Sequence, residues 1–307
     1  MGKEYRKYKK ISTHHVYCKG IGGNIIFYSV QDCIFYITLY YHLSRKYGIV
    51  TRAFTIMPNH IHSNEQAHSQ EDFFSFHRDL NNLFTKSYNA EHNRTGPLFE
   101  KPFGFAPKSV AKKIRENIVY ILNNPIVGRL SNSVDQYKWN LMAYRHTSYP
   151  FSEKIVLNKA SRRLRRSVKM LKYYFNNSLP LTYNRQRVLF KTLSPDEVLQ
   201  LTDLILSLHN FLDYNNIGEL YDGDVENAVI AAKAYSGTDH EIREDYEDYR
   251  AYQIMMKLSQ ASGIDLKTCN FEIMTEKELK SLSKRFRINC IDITQIQKFL
   301  HLPRRGH

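Results

Sequence analysis

The chain has 307 residues, of which 42% are hydrophobic and 13% aromatic, so it can bury a sizeable core and wholesale disorder is excluded. Its formal net charge of +14 points to a polyanionic partner, nucleic acid ahead of an acidic membrane surface. Four cysteines, Cys18, Cys33, Cys269 and Cys290, form neither a C-x-x-C pair nor a regular metal-site spacing, which argues against a disulfide framework and for a reducing, cytoplasmic setting. No apolar run reaches the roughly 18 residues of a membrane span, and the basic start "MGKEYRKYKKIS" leads into no signal-peptide core.

Taken in order, "HHVYCKG" (14–20) reads as a short strand and "NIIFY" (24–28) as an apolar piece after a Gly-rich turn. "VQDCIFYITLYYHLSRKYG" places Ile34, Ile37, Leu39 and Leu43 at helical spacing, with Gly48 as the stop. "IVTRAFTIMP" is a strand that leads straight into "NHIH". A second helix covers 69–93, with Phe73, Phe76, Leu80, Leu83 and Phe84 on its apolar side. A loop, "RTGPLFEKP", precedes a short strand at 103–106, and "SVAKKIRENIVYILNNP" is a third helix, expected to stop at Pro125. Strand and helix alternate with short connections, which predicts an α+β unit over 1–150, a ferredoxin-like antiparallel sheet with helices on one face. Past 150 the strand signals fade, and 151–307 reads as an all-α extension. One of its helices opens at a capping box, Ser194 with Glu197 and Pro195 between them.

Alternate residues of a strand share a face, so His60 and His62 project together as a bidentate site for a divalent cation, with Ile61 turned to the helices. The three-residue pattern alone is weak, and two surface histidines in a chain with 13 explain it more readily. On the third helix, steps of about 100° gather Val110, Ile114, Ile118, Ile121 and Leu122 on a face expected to pack on the sheet. Tyr120 falls away from that cluster, on a polar stripe with Lys113, Glu116, Asn117 and, one turn on, Asn124. An amide oxygen is an acceptable hard ligand for Mg²⁺ or Mn²⁺ beside two imidazoles.

Three strings in order, "MPNHIH", "RTGPLFEKPF" and "IVYILNNPIVGRL", resemble the motifs of the single-tyrosine transposases with a histidine–hydrophobe–histidine (HUH) signature, including the REP-associated tyrosine transposases. The similarity covers roughly residues 12–145. It implies an HUH endonuclease fold and a metal-dependent enzyme that cleaves and rejoins single-stranded or hairpin DNA through a 5′-phosphotyrosine. It also implies Tyr120 as the nucleophile among 22 tyrosines, with His60, His62 and Asn124 as ligands of Mg²⁺ or Mn²⁺. DNA would be the partner, in a prokaryotic-type, nucleoid-associated setting. A homodimer is one arrangement the resemblance allows. An HUH replication initiator or relaxase would share the chemistry, and a domesticated hairpin-binding regulator would share the fold. The chain departs from the family after the second histidine, where "SNEQAHSQED" replaces an apolar continuation; the strand is expected to be shorter or remodelled there.

Further basic residues suit DNA contacts. Lys112 and Lys113 lie near the start of the tyrosine helix. Arg162, Arg163, Arg165 and Arg166 lie in "SRRLRRSVKMLKYY", a helix fit to track a phosphate backbone or, as readily, to stay solvated or pair with the acidic "HEIREDYEDYR". The last segment resembles the first part of a helix-turn-helix, whose reader helix would begin at "PRR".

Overall fold

Alternating β-branched and aromatic residues build four strands: β1 Thr13–Lys19, β2 Val50–Met57, β3 His60–Gln66 and β4 Gly104–Lys108. This is a computed structural model, and it describes residues 8–10, 12–235 and 249–303. Between the strands run α1 (Val30–Lys46) and α2 (Gln70–Glu91), and α3 (Ala111–Val127) follows β4. The sheet order is β2-β3-β1-β4, and every neighbouring pair is antiparallel.

The histidines do not end the strand that precedes them. Met57 pairs with His60, so Pro58 and Asn59 form a tight turn and His60 opens a new strand. Nor does the polar tail shorten that strand. β3 runs on through Ser63, Asn64 and Glu65 to Gln66 and lies inside the sheet between β1 and β2. Its polar side chains are buried because each finds partners: Asn64 donates to Asn117 Oδ1 at 2.8 Å, and Glu65 accepts from Tyr40 at 2.8 Å and from Ser63 at 2.5 Å.

Helices cover both faces of the sheet, not one. Ile61, Ser63 and Glu65 look toward α1 and α2, where Tyr40 and His77 meet Glu65. His15, His62 and Asn64 look the other way, onto α3. The physical reason is complementarity: this second face is polar, and so is the stripe of α3 that meets it. Ile118, Ile121 and Leu122 are fully buried too, in a core shared with Ala228, Val229 and Ala232. Leu83, placed by its spacing on the apolar side of α2, is 46% exposed.

Local signals set the helix ends. Ser29 and Asp32 form a capping box at α1, and Gly48, at φ 61°, lets the chain turn out of it. Pro125 does not stop α3. It removes one N–H, yet the helix runs two residues further, and the Gly128 and Leu130 amides bond the Asn124 and Pro125 carbonyls. β4 spans Gly104–Lys108, so it begins one residue later and ends two residues later than the 103–106 its hydrophobic pattern suggests. Residues 24–28 stay outside the sheet; Ile26 and Phe27 instead donate backbone bonds to Pro58.

Beyond 150 come α4 (Arg162–Asn176), α5 (Tyr183–Phe190), α6 (Pro195–Leu208), α7 (Tyr214–Leu220), α8 (Val225–Ala234), α9 (Arg250–Gln260), α10 (Glu276–Ile288) and α11 (Ile293–Leu300). The capping box of α6 forms as its sequence indicates. These helices pack on the α+β unit. Ile34 of α1 joins the core of α4–α6, while Ile25, Tyr28 and Met57 join the core of α9–α11. Among the described residues no helix is long and apolar enough to cross a membrane.

Candidate active site

β1 and β3 place three imidazoles together. His62 Nδ1 lies 2.9 Å from His15 Nε2, and the His60 and His62 ring centres are 4.8 Å apart. Register explains this: Tyr17 sits opposite His62 and Lys19 opposite His60, so His15, Tyr17, Lys19, His60 and His62 share one face. Burial holds His60 well below the usual imidazole range, with the neighbouring His62, Lys19 and His15 adding to the effect, and burial lowers His62 to about 3. Both rings are therefore neutral at pH 7 and able to act as ligands.

The tautomer of His60 follows from its surroundings. The Asn59 side-chain amide donates to the Gly23 carbonyl at 3.1 Å, which fixes its oxygen toward His60. That oxygen only accepts, so His60 Nδ1, 2.6 Å away, must carry the proton. The lone pair is left on Nε2. His62 is similar: with Nδ1 engaged by His15, its Nε2 is the ring nitrogen left for a ligand. Histidine ligands are oriented in this way when the second nitrogen is tied to a neighbour.

Tyr120 comes to this cluster from α3. Its ring centre lies 5.4 Å from those of both His15 and His62, each contact edge-on. Asn64 and Asn117 bond across the sheet–helix junction three residues before it and fix the height of the helix. Asn124, one turn on, is buried, and its amide nitrogen donates to the Tyr120 carbonyl at 2.8 Å. That bond turns the nitrogen back along the helix and leaves Oδ1 as the possible ligand atom. Among the described residues no three His, Cys, Asp or Glu side chains converge as a metal cage. A cation at the histidines would thus need an amide, water or substrate oxygen as well, and a hard ion accepts such a set.

The basic residues are spread out. Lys112 and Lys113 are exposed in the first turn of α3, and Lys112 sits 4.0 Å from Glu116. Arg162, Arg163, Arg165 and Arg166 are exposed on α4, whose buried side (Leu164, Val168, Leu171) packs in the core that includes Ile34 of α1. They therefore sit beyond the α1 layer, on the side of the sheet opposite the histidines. The acidic stretch proposed to pair with them falls largely outside the described residues, as do Arg304 and Arg305 where a reader helix would begin.

Several site residues escape a sequence search. His15 lies two residues before Tyr17 on β1, and the alternation that marks His60 and His62 would have marked it. Lys19 and the 41%-exposed Tyr17 follow from the same alternation. The Tyr17 ring lies over Gly104, where a Cβ would come within 2.2 Å of it. Asn59 and Tyr249 carry no local signal; only the fold brings them to His60.

No protein-family profile matches the chain, and no curated protein does. A solved structure of a REP-associated tyrosine transposase bound to a REP hairpin is similar over 47% of this chain and 84% of its own, at 17% identity and a TM-score of 0.41.

Proposed function

We propose that the chain is a single-tyrosine HUH enzyme that cleaves and rejoins single-stranded or hairpin-ended DNA. Its first 150 residues carry the chemistry, and 151–307 is an extension that helps bind DNA. The β1-α1-β2-β3-α2-β4 order and the β2-β3-β1-β4 sheet support a ferredoxin-like core of that kind. The observation that carries the proposal is the meeting of Tyr120 with the histidine strand, its ring 5.4 Å from that of His62, although α2 and β4 separate them in sequence.

In this mechanism His60 and His62, through Nε2, and Asn124, through Oδ1, would hold Mg²⁺ or Mn²⁺, which when bound would supply Lewis-acid polarisation of the scissile phosphate. Tyr120 Oη attacks phosphorus, the bond to the 3′ oxygen breaks, and that oxygen leaves as a 3′-OH with the proton. The 5′-phosphotyrosine conserves a phosphodiester, so a second 3′-OH can reverse the step and join strands without ATP. An unpaired backbone is needed to reach a site packed between sheet and helix. Lys112 and Lys113 contact the strand near α3. The α4 arginines, remote from Tyr120, hold a distal part of the DNA. Such an enzyme would work in the cytoplasm, on nucleoid DNA.

The test uses 3′-labelled hairpin DNAs with randomised single-stranded flanks, incubated with the protein and Mn²⁺ or Mg²⁺. A covalent protein–DNA adduct on a denaturing gel is expected. Tight hairpin binding with no adduct from the pool would overturn the assignment and leave a hairpin-binding regulator.

A further inference from the structure

The extension contributes a side chain to the histidine site. Tyr249 is the residue just before α9 and is 5% exposed. Its hydroxyl donates to Asn59 Oδ1 at 3.0 Å and lies 3.4 Å from His60 Nδ1. The acceptor is the oxygen that receives the His60 Nδ1 proton. Asn59 Oδ1 is therefore held from two sides, by a phenol from the extension and by the imidazole it orients.

The phenol is itself fixed. Its backbone N–H bonds the Gly128 carbonyl at 3.3 Å. Gly128 leaves room for the ring, since a Cβ there would come within 2.6 Å of Tyr249 Cδ2 and 2.9 Å of Met57 Cε. Tyr249, Tyr252, Phe286 and Phe299 share one core with Ile25, Tyr28 and Met57, so α9–α11 hold the phenol against the turn that opens β3.

We propose that Tyr249 is a positioning residue. Together with Asn59 it holds His60 in the Nδ1–H tautomer with Nε2 toward the ligand site, which makes α9–α11 an integral part of that site. The metal role of His60 is the one assigned under Proposed function, and the experiment separates the two claims. Ring-¹⁵N histidine labelling of the full, metal-free chain reads the tautomer, and calorimetric titration with Mn²⁺ reads the site. Tyr28→Phe is the control, because it removes a buried hydrogen bond in the same core, to the Phe299 carbonyl, without touching His60.

In the wild type His60 is expected as Nδ1–H. In Tyr249→Phe that tautomer becomes mixed and Mn²⁺ binding weakens about tenfold or more, while Tyr28→Phe keeps both. An Nε2–H tautomer in the wild type, or an unchanged tautomer and Mn²⁺ affinity in Tyr249→Phe, overturns the proposal. So does an equal loss of affinity in Tyr28→Phe. A tautomer that shifts in Tyr249→Phe while no variant binds Mn²⁺ supports the positioning role and overturns the metal assignment alone.

Discussion

Replacing Glu65 by leucine tests why a polar sequence can form an interior strand. Glu65 has no solvent exposure, and its carboxylate accepts hydrogen bonds from the Tyr40 and Ser63 hydroxyls and lies 2.8 Å from His77 Nε2. Leucine of similar volume fills the space but accepts nothing. Tyr40 keeps a contact to the Thr51 hydroxyl at 2.8 Å, whereas His77 and Ser63 lose a buried partner. Each buried donor left without its acceptor costs about 1–3 kcal/mol, and two such losses are a large part of a typical folding stability of about 5–15 kcal/mol. Guanidinium unfolding followed by far-UV circular dichroism measures it. Acid gives a second check. Burial pushes the Glu65 carboxyl up, but the charge of His77 and hydrogen bonds from His77, Ser63 and Tyr40 outweigh it, so the group sits below its ordinary value. A lowered carboxyl contributes stability above the unfolded pKa, about 4.3, and loses it as pH falls through the folded one. The gap between wild type and Glu65→Leu is therefore full at pH 7 and narrows below about pH 4. A variant within about 1 kcal/mol of wild type at pH 7, or a gap that widens in acid, would refute the reasoning.

Two other outcomes are expected. His92 is fully buried and 3.3 Å from Asp32; burial lowers its pKa, but the hydrogen bond and charge of Asp32 outweigh burial and leave it raised. Its NMR titration should fall above the ordinary 6.5 in the wild type and drop below it in Asp32→Asn; the pair's stabilisation is present below the unfolded value and fades as pH rises through the folded one. Changing Arg162, Arg163, Arg165 and Arg166 together to alanine should leave the fold intact, since all four are exposed, and should flatten the salt dependence of hairpin binding by about 3 in log–log slope; an unchanged slope would remove α4 from the DNA surface.

The sequence carries much of the framework and misleads at identifiable points. Periodicity places α1, α2 and α3, because each repeats apolar residues at helical spacing over several turns. It misses β3, because Ser63, Asn64 and Glu65 look solvated until Tyr40, His77 and Asn117 supply partners from distant segments. It sets Tyr120 and Asn117 apart from the apolar cluster of α3, and the sheet meets that polar stripe with His15, His62 and Asn64. The short helices α5 and α7 go unseen, as about two turns of pattern carry little signal. At the site, His60 and His62 are legible by alternation and Tyr120 by its stripe. Asn59 and Tyr249 are not, because a hydrogen bond across |i−j| = 190 leaves no local trace.

The central claim is that Tyr120 is the nucleophile served by His60 and His62. Peptide mass spectrometry after reaction with the randomised, 3′-labelled hairpin pool and Mn²⁺ tests it most directly. The account predicts a nucleotide attached through its 5′ phosphate to Tyr120, no adduct in Tyr120→Phe, and loss of the adduct in His60→Ala and His62→Ala. An adduct on another residue, or one that persists in Tyr120→Phe, would contradict it.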